Sequence, residues 1–207
     1  MFANVIQSLT SDLNWFDAVV VLVLGFGLFR GRRNGMSKEI LPLFQWLAVI
    51  LVSGLFYGTV TQLIAKMVKL DPLISNLLAY TTLAAVVFLF FSLINRTVGL
   101  KLFGSNLFGS AEYYIGIPSG MVRYGCILIF ALAFLNARHY TAAQIEDSNK
   151  YQERWYGAHF FPDLYTVQSQ VFEKSFTGPY IRKYLGVLLI EPTATGGHQA
   201  VPDVPVQ

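Results

Sequence analysis

Arg30-Gly31-Arg32-Arg33-Asn34-Gly35-Met36-Ser37-Lys38-Glu39 is the stretch that decides how this chain folds. Four of its ten residues are cationic, and it separates the apolar run Trp15–Phe29 from the apolar run Ile40–Val60. Each run approaches the roughly 20 residues that a helix needs to cross a bilayer. Lysine and arginine in short loops are retained on the cytoplasmic side. Arg30, Arg32, Arg33 and Lys38 therefore predict a helical hairpin whose turn lies in the cytoplasm and whose far ends lie outside it.

Composition agrees with that hairpin. At 54% hydrophobic and 13% charged residues, with a mean hydropathy of +0.50, the chain has too little polar surface to cover a soluble globule of its length. The net charge of +3 is modest, and the cations flank apolar runs instead of alternating with aromatics. That pattern argues against nucleic acid as a partner and for membrane lipids with anionic headgroups. Cys126, the single cysteine, lies in an apolar run and reads as a small packing residue, so no disulfide framework is expected.

Met1–Trp15 contains no Lys or Arg, and no small-x-small cleavage pattern follows Phe29. The first apolar run is therefore expected to stay attached as a span. Four spans are predicted: about Leu13–Phe29, Ile40–Val60, Leu77–Ile94, and a fourth within Ile115–Leu135. Gly116, Pro118, Gly120 and Arg123 predict a kink or an interfacial first turn in the last of them. Val98–Tyr114 is too short and glycine-interrupted to span, and predicts an interfacial or re-entrant segment between spans three and four.

The fold class expected is an all-α membrane protein with three regions: a four-span module over residues 1–136, an external tail over 137–190 and a flexible end over 191–207. With four spans, both termini emerge outside the cytoplasm. Asp163 ahead of Leu164, Val167, Val171 and Phe172 predicts a capped amphipathic helix in the tail. Tyr151, Trp155, Tyr156, Phe160 and Phe161 predict anchorage at the outer headgroup boundary. A membrane-surface cap is the preferred reading of this tail. A docking face for an envelope partner and a small fold over the helix ends are its alternatives.

Ionisable residues at membrane depth are costly and mark pairing or function by default. Asp17 lies about 19 Å along a helix from Arg30, near the outer edge of the hydrocarbon, where it serves either as a functional acid or as a solvated interfacial one. Arg123, about 18 Å from Leu135, belongs to the inner half and is placed out of reach of Asp17. Glu39 opens the second span at that depth, so either it pairs with Arg123 or Arg123 snorkels to lipid phosphates. Glycines supply a second pattern. Gly27, Gly31 and Gly35 repeat every four residues, and Gly54 with Gly58 and Gly116 with Gly120 form small-xxx-small pairs. Such faces serve oligomerisation or packing inside one unit, and packing is the preferred reading.

The search for chemistry finds no His-Glu-x-x-His, no Gly-x-Ser-x-Gly, no phosphate loop and no spaced Cys/His set. His139, His159 and His198 all follow the spans, and Ser53, Ser92 and Tyr80 read as packing or interhelical hydrogen-bonding residues. No catalytic residue, metal or cofactor is expected.

Several short motifs are similar to those of one known family. Trp15-Phe16-Asp17 opens the first span, and Gly35-Met36-Ser37-Lys38-Glu39 resembles a glycine-to-glutamate turn into the second, with Asn34 where arginine is usual. Gly116-x-x-x-Gly120-x-x-Arg123 precedes the last span, with Tyr124 where a further glycine is common. Trp155 through Phe160-Phe161-Pro162 follows the membrane part, with Ala158 where serine is frequent. In order and spacing, over about residues 13–176, the chain resembles the colicin V production protein family of bacterial inner-membrane proteins. That resemblance implies a four-span, noncatalytic protein required for producing or exporting the toxin and for envelope homeostasis. It implies export or envelope proteins as partners. In some relatives the module is fused to an external protease domain, an activity not carried over here. An oligomeric pore or transporter-like protein, with glycine faces between copies and Asp17, Glu39 and Arg123 along a polar path, is the alternative.

Overall fold

The computed structural model describes residues 14–68, 70–102, 109–140 and 164–194. Helix α1, Trp15–Asn34, begins at a reciprocal capping box. Asn14 Oδ1 accepts from the Trp15 N–H at 2.7 Å, and Asp17 Oδ2 accepts from the Asn14 N–H at 3.0 Å. Donors that the first turn would leave orphaned are thus satisfied locally. The helix stops at Gly35, whose φ of 74° is a conformation that side-chain-bearing residues rarely adopt. One residue later the backbone is helical again, so the basic stretch is a turn of a single residue between two helices.

Helix α2 runs Met36–Met67 and α3 runs Pro72–Leu102. The break between them is set by Asp71-Pro72. Asp71 Oδ1 accepts from the Leu73 N–H at 2.8 Å, while the proline starts the helix where its missing N–H costs nothing. A short 3-10 turn, Gly109–Ala111, leads into α4, Glu112–Asn136. In space α1 lies along α4, α4 against α2, and α2 against α3, so the first and last long helices are direct neighbours.

Three of these helices, α2, α3 and α4, are long and apolar enough to cross a membrane. Helix α1 is shorter, and its apolar centre is bounded by Asp17 on one side and Arg30, Arg32 and Arg33 on the other. The outward surface is apolar: Leu22, Phe26, Leu55, Phe56, Leu89, Phe90 and Leu93 are all more than half exposed, as in a protein whose solvent is lipid. Between α2, α3 and α4, Val49, Ala84 and Val87 form a core, with Trp46 set edge-on against Phe88 and Phe130.

After the bundle come α5, Leu164–Phe172, α6, Gly178–Leu185, and a 3-10 turn at Gly186–Leu188. Val171, Phe172, Leu189 and Ile190 are buried against Phe16, Val20, Tyr80, Leu132 and Ala133, closing one end of the bundle. Burying side chains of that size contributes about 1.5–3 kcal/mol each. This part of the tail is a small fold over the helix ends; on its far side Phe176, Tyr180, Tyr184 and Val187 are exposed.

Several boundaries differ from those read in the sequence. Helices α2 and α3 overrun their apolar cores, because hydropathy marks where lipid begins and ends, not where backbone hydrogen bonding does. The segment expected to be interfacial over Val98–Tyr114 is partly absorbed, since α3 continues to Leu102 and α4 starts at Glu112. Helix α4 runs unbroken through Pro118. Order extends past the expected flexible boundary at Ile190: Thr193–Ala194 pairs in parallel with Arg138–His139, and the Thr193 N–H donates to Ala137 O at 2.9 Å. Asp163 and the aromatics Tyr151, Trp155, Tyr156, Phe160 and Phe161 lie outside the described residues.

Candidate functional site

Gly35 N–H closes α1 on Gly31 O at 2.9 Å, and Gly35 O accepts from the Glu39 N–H at 3.2 Å. With no side chain, Gly35 cannot cap α2. The cap comes from another helix: Glu112 of α4 accepts from the Ser37 N–H at 2.6 Å and from Ser37 Oγ at 2.9 Å. A carboxylate at a helix N-terminus meets both the unpaired donors and the positive end of the helix dipole. It also explains the glycine, since a Cβ at residue 35 would stand 2.7 Å from Glu112 Cγ.

A second carboxylate is buried one turn on. Glu39, fully buried, accepts from Arg123 Nη1 at 2.8 Å on one oxygen and from Asn34 Nδ2 at 2.5 Å on the other. The structure thus brings Glu39 and Arg123 together. Asn34 is a neutral donor completing the pair, and Arg123 also stands over the Tyr124 ring, 5.5 Å from its centroid. Of the hinge cations, Arg30, Arg32, Arg33 and Lys38 are exposed.

What holds Glu39 and Arg123 at one depth is the seam between α1 and α4. A Cβ on Gly31 would overlap Gly116 O, one on Gly120 would overlap Gly27 O, and one on Gly27 would stand 2.8 Å from Gly120 O. Backbone therefore lies on backbone, an approach that only glycine permits. Gly54 meets the tail instead, its absent Cβ 2.7 Å from Leu188 Cα, while Gly58 has nothing within 4 Å and does not share in the packing of its expected pair.

Asp17 lies at the other end, away from Arg123. Besides its role in the capping box, it accepts from the Phe176 N–H at 3.0 Å, the Thr177 N–H at 2.9 Å and Thr177 Oγ1 at 2.7 Å. It is an anchor for the turn between α5 and α6. The tail is tied to every long helix: Trp15 Nε1 donates to Gln170 Oε1 at 2.6 Å, Tyr57 OH accepts from the Glu191 N–H at 3.0 Å, Asn76 Nδ2 donates to Thr193 Oγ1 at 2.9 Å, and Asn136 Nδ2 donates to Ile190 O at 2.9 Å. Asp17→Ala leaves those tail donors without their acceptor, at about 1–3 kcal/mol per buried group. Limited proteolysis of the purified protein is expected to cleave within residues 164–194 at least tenfold faster than in the unsubstituted chain, with the four long helices intact. Unchanged cleavage would refute the anchoring role.

Among the described residues, no three His, Cys, Asp or Glu side chains form a metal-holding group. Ser53 is buried, Ser92 is exposed and Tyr80 OH donates to Leu188 O at 3.3 Å. His139 sits in the two-residue strand pair, and His159 and His198 lie outside the described residues.

The hinge, its buried glutamate and the glycine seam all fall inside residues 16–162, which match the family model described as colicin V production protein. The chain belongs to the colicin V production protein family. No curated protein and no solved structure matches it. Helices α5 and α6, which cap the bundle, follow the part of the chain that the family model matches. Family membership and the apolar helices together make this a membrane protein.

Glu112 is the site residue that sequence reading missed. At the head of an apolar helix it looks like an ordinary solvated acid. Its signal, in hindsight, is Gly35-Met36-Ser37: a helix start whose cap position has no side chain and so needs a carboxylate from elsewhere.

Proposed function

We propose that this family member is a noncatalytic four-span scaffold of the bacterial inner membrane, working in colicin V production or export and in envelope homeostasis by holding export or envelope proteins. Both termini and the folded tail lie outside the cytoplasm, with the Arg30–Lys38 turn inside, a placement supported by the four cations clustered in that turn. Helix α1 is the fourth span, its Asp17 and arginines lying at the two interfaces.

One observation carries the reading. Asp17, Glu39 and Glu112, buried carboxylates of the long helices, are each bound by groups of the same chain, and what they hold is the tail, the hinge and the start of α2. Charges spent on internal architecture favour a scaffold over a polar conduit.

The test joins two measurements. A photocrosslinker replacing exposed Tyr184 in living cells is expected to give one recurrent adduct with an export or envelope protein, and liposomes containing the purified chain are expected to stay sealed to small solutes. Solute flux that disappears in Arg123→Ala, with no specific adduct, would overturn the scaffold in favour of a pore. For orientation, a cysteine replacing Lys38 is expected to react with a membrane-impermeant reagent only after the cells are opened. Reaction in intact cells would reverse the topology.

A further inference from the structure

At the hinge end, beside the glycine seam, the last turns of α1 and the first turns of α4 line a groove of about 610 Å3, formed by Phe29, Arg32, Arg33, Tyr113, Tyr114 and Ile117. Its size suits a headgroup and the upper part of its chains. Arg32 and Arg33 are exposed and make no ion pair among the described residues. The carboxylate nearest in sequence to the two tyrosines, Glu112, binds Ser37 instead.

We propose that this groove is a binding site for one anionic phospholipid, its phosphate held by Arg32 and Arg33 and its upper acyl chains laid against Phe29 and Ile117. Three properties of the groove select that occupant. Two guanidinium groups can each grip a phosphate through paired N–H donors, which a lone ammonium cannot do. Tyr113 and Tyr114 carry an apolar ring and a polar hydroxyl, the residue type that settles at headgroup level. Beyond them, Phe29 and Ile117 continue into the apolar surface of α1 and α4, so the groove grades from cationic to aromatic to aliphatic along its length, as a phospholipid grades from phosphate to chain. A basic pocket at the end of a membrane helix also attracts anionic lipid from the bilayer that already surrounds it. The site rests on membrane embedding alone and is independent of the scaffold reading.

The probe is phosphatidylglycerol, titrated onto the full chain in mild detergent and counted by native mass spectrometry, with phosphatidylcholine as the zwitterionic control. The unsubstituted chain is expected to retain one phosphatidylglycerol in preference to phosphatidylcholine. Removing both guanidinium groups, Arg32→Ala with Arg33→Ala, is expected to weaken that binding about 30-fold. A pair of equal charge outside the groove, Arg30→Ala with Lys38→Ala, is expected to change it by less than about 3-fold. Ile117→Trp fills the groove while keeping both arginines, and is expected to abolish the bound lipid, which keeps the test valid if the arginine pair misfolds. Equal retention of the two lipids, or equal loss in both arginine-containing pairs, would overturn the site in favour of diffuse surface attraction. Retention in Ile117→Trp would overturn the groove as its location.

Discussion

Gly31→Leu is expected to abolish folded protein, read as loss of the monodisperse peak in detergent size-exclusion chromatography and as loss of the chain from membranes. The nearest atoms to a Cβ at that position are backbone, Gly116 O and C and Gly120 Cα, so nothing there can rotate away. Overpacking by one or two methylenes costs about 1–3 kcal/mol where side chains can shift; a whole isobutyl group between two backbones must cost more, and α1 has to leave α4. Gly31→Ala is expected to be milder but still destabilising. Gly58→Leu, adding the same group at a glycine with open space around it, is expected to leave the chromatogram unchanged. Equal behaviour of the two leucine variants would remove the seam from its structural role.

The second large effect concerns the buried pair. Arg123→Met strands Glu39, fully buried, with Asn34 as its remaining partner. Breaking a buried pair from one side costs about 3–5 kcal/mol, whereas replacing both members by neutral groups is often close to neutral. Thermal unfolding in detergent is therefore expected to show a large loss for Arg123→Met and recovery of most of it in Glu39→Gln with Arg123→Met. A double variant no better than the single one would mean the charges do not act as a pair. The charge swap, Glu39→Arg with Arg123→Glu, is expected to recover function lost in each single change, and Asn34 is the reason. An amide can turn its oxygen toward a new guanidinium, as an arginine at residue 34 could not.

The features legible in the sequence share a property: they are local, or they depend on a period. Apolar runs mark the long helices, and the glycines spaced by four in α1 and α4 mark the faces that pack. Depth along the helices placed Glu39 and Arg123 at one level and separated both from Asp17, and the structure shows that arrangement. The illegible features are those whose partner is backbone from a distant segment. Asp17 accepts from N–H groups 159 and 160 residues away, and every residue between them except proline offers the same N–H. Glu112 caps a helix 75 residues back in the chain. Patterns of side chains carry no record of such contacts. The apolar face of α5 is legible for its burial but not for its partner, which is Phe16, Val20 and the ends of the long helices.

The pairing of α1 with α4 has a consequence for how the molecule is made. Arg123 is synthesised 84 residues after Glu39, a delay of about 4–17 s at ordinary elongation rates. For most of that interval the glycine face of α1 has no partner and the head of α2 lacks the carboxylate that caps it, and for all of it Glu39 lacks Arg123. The contacts between α1 and α4 therefore join segments far apart in synthesis, and the seam closes only once the last long helix has been made.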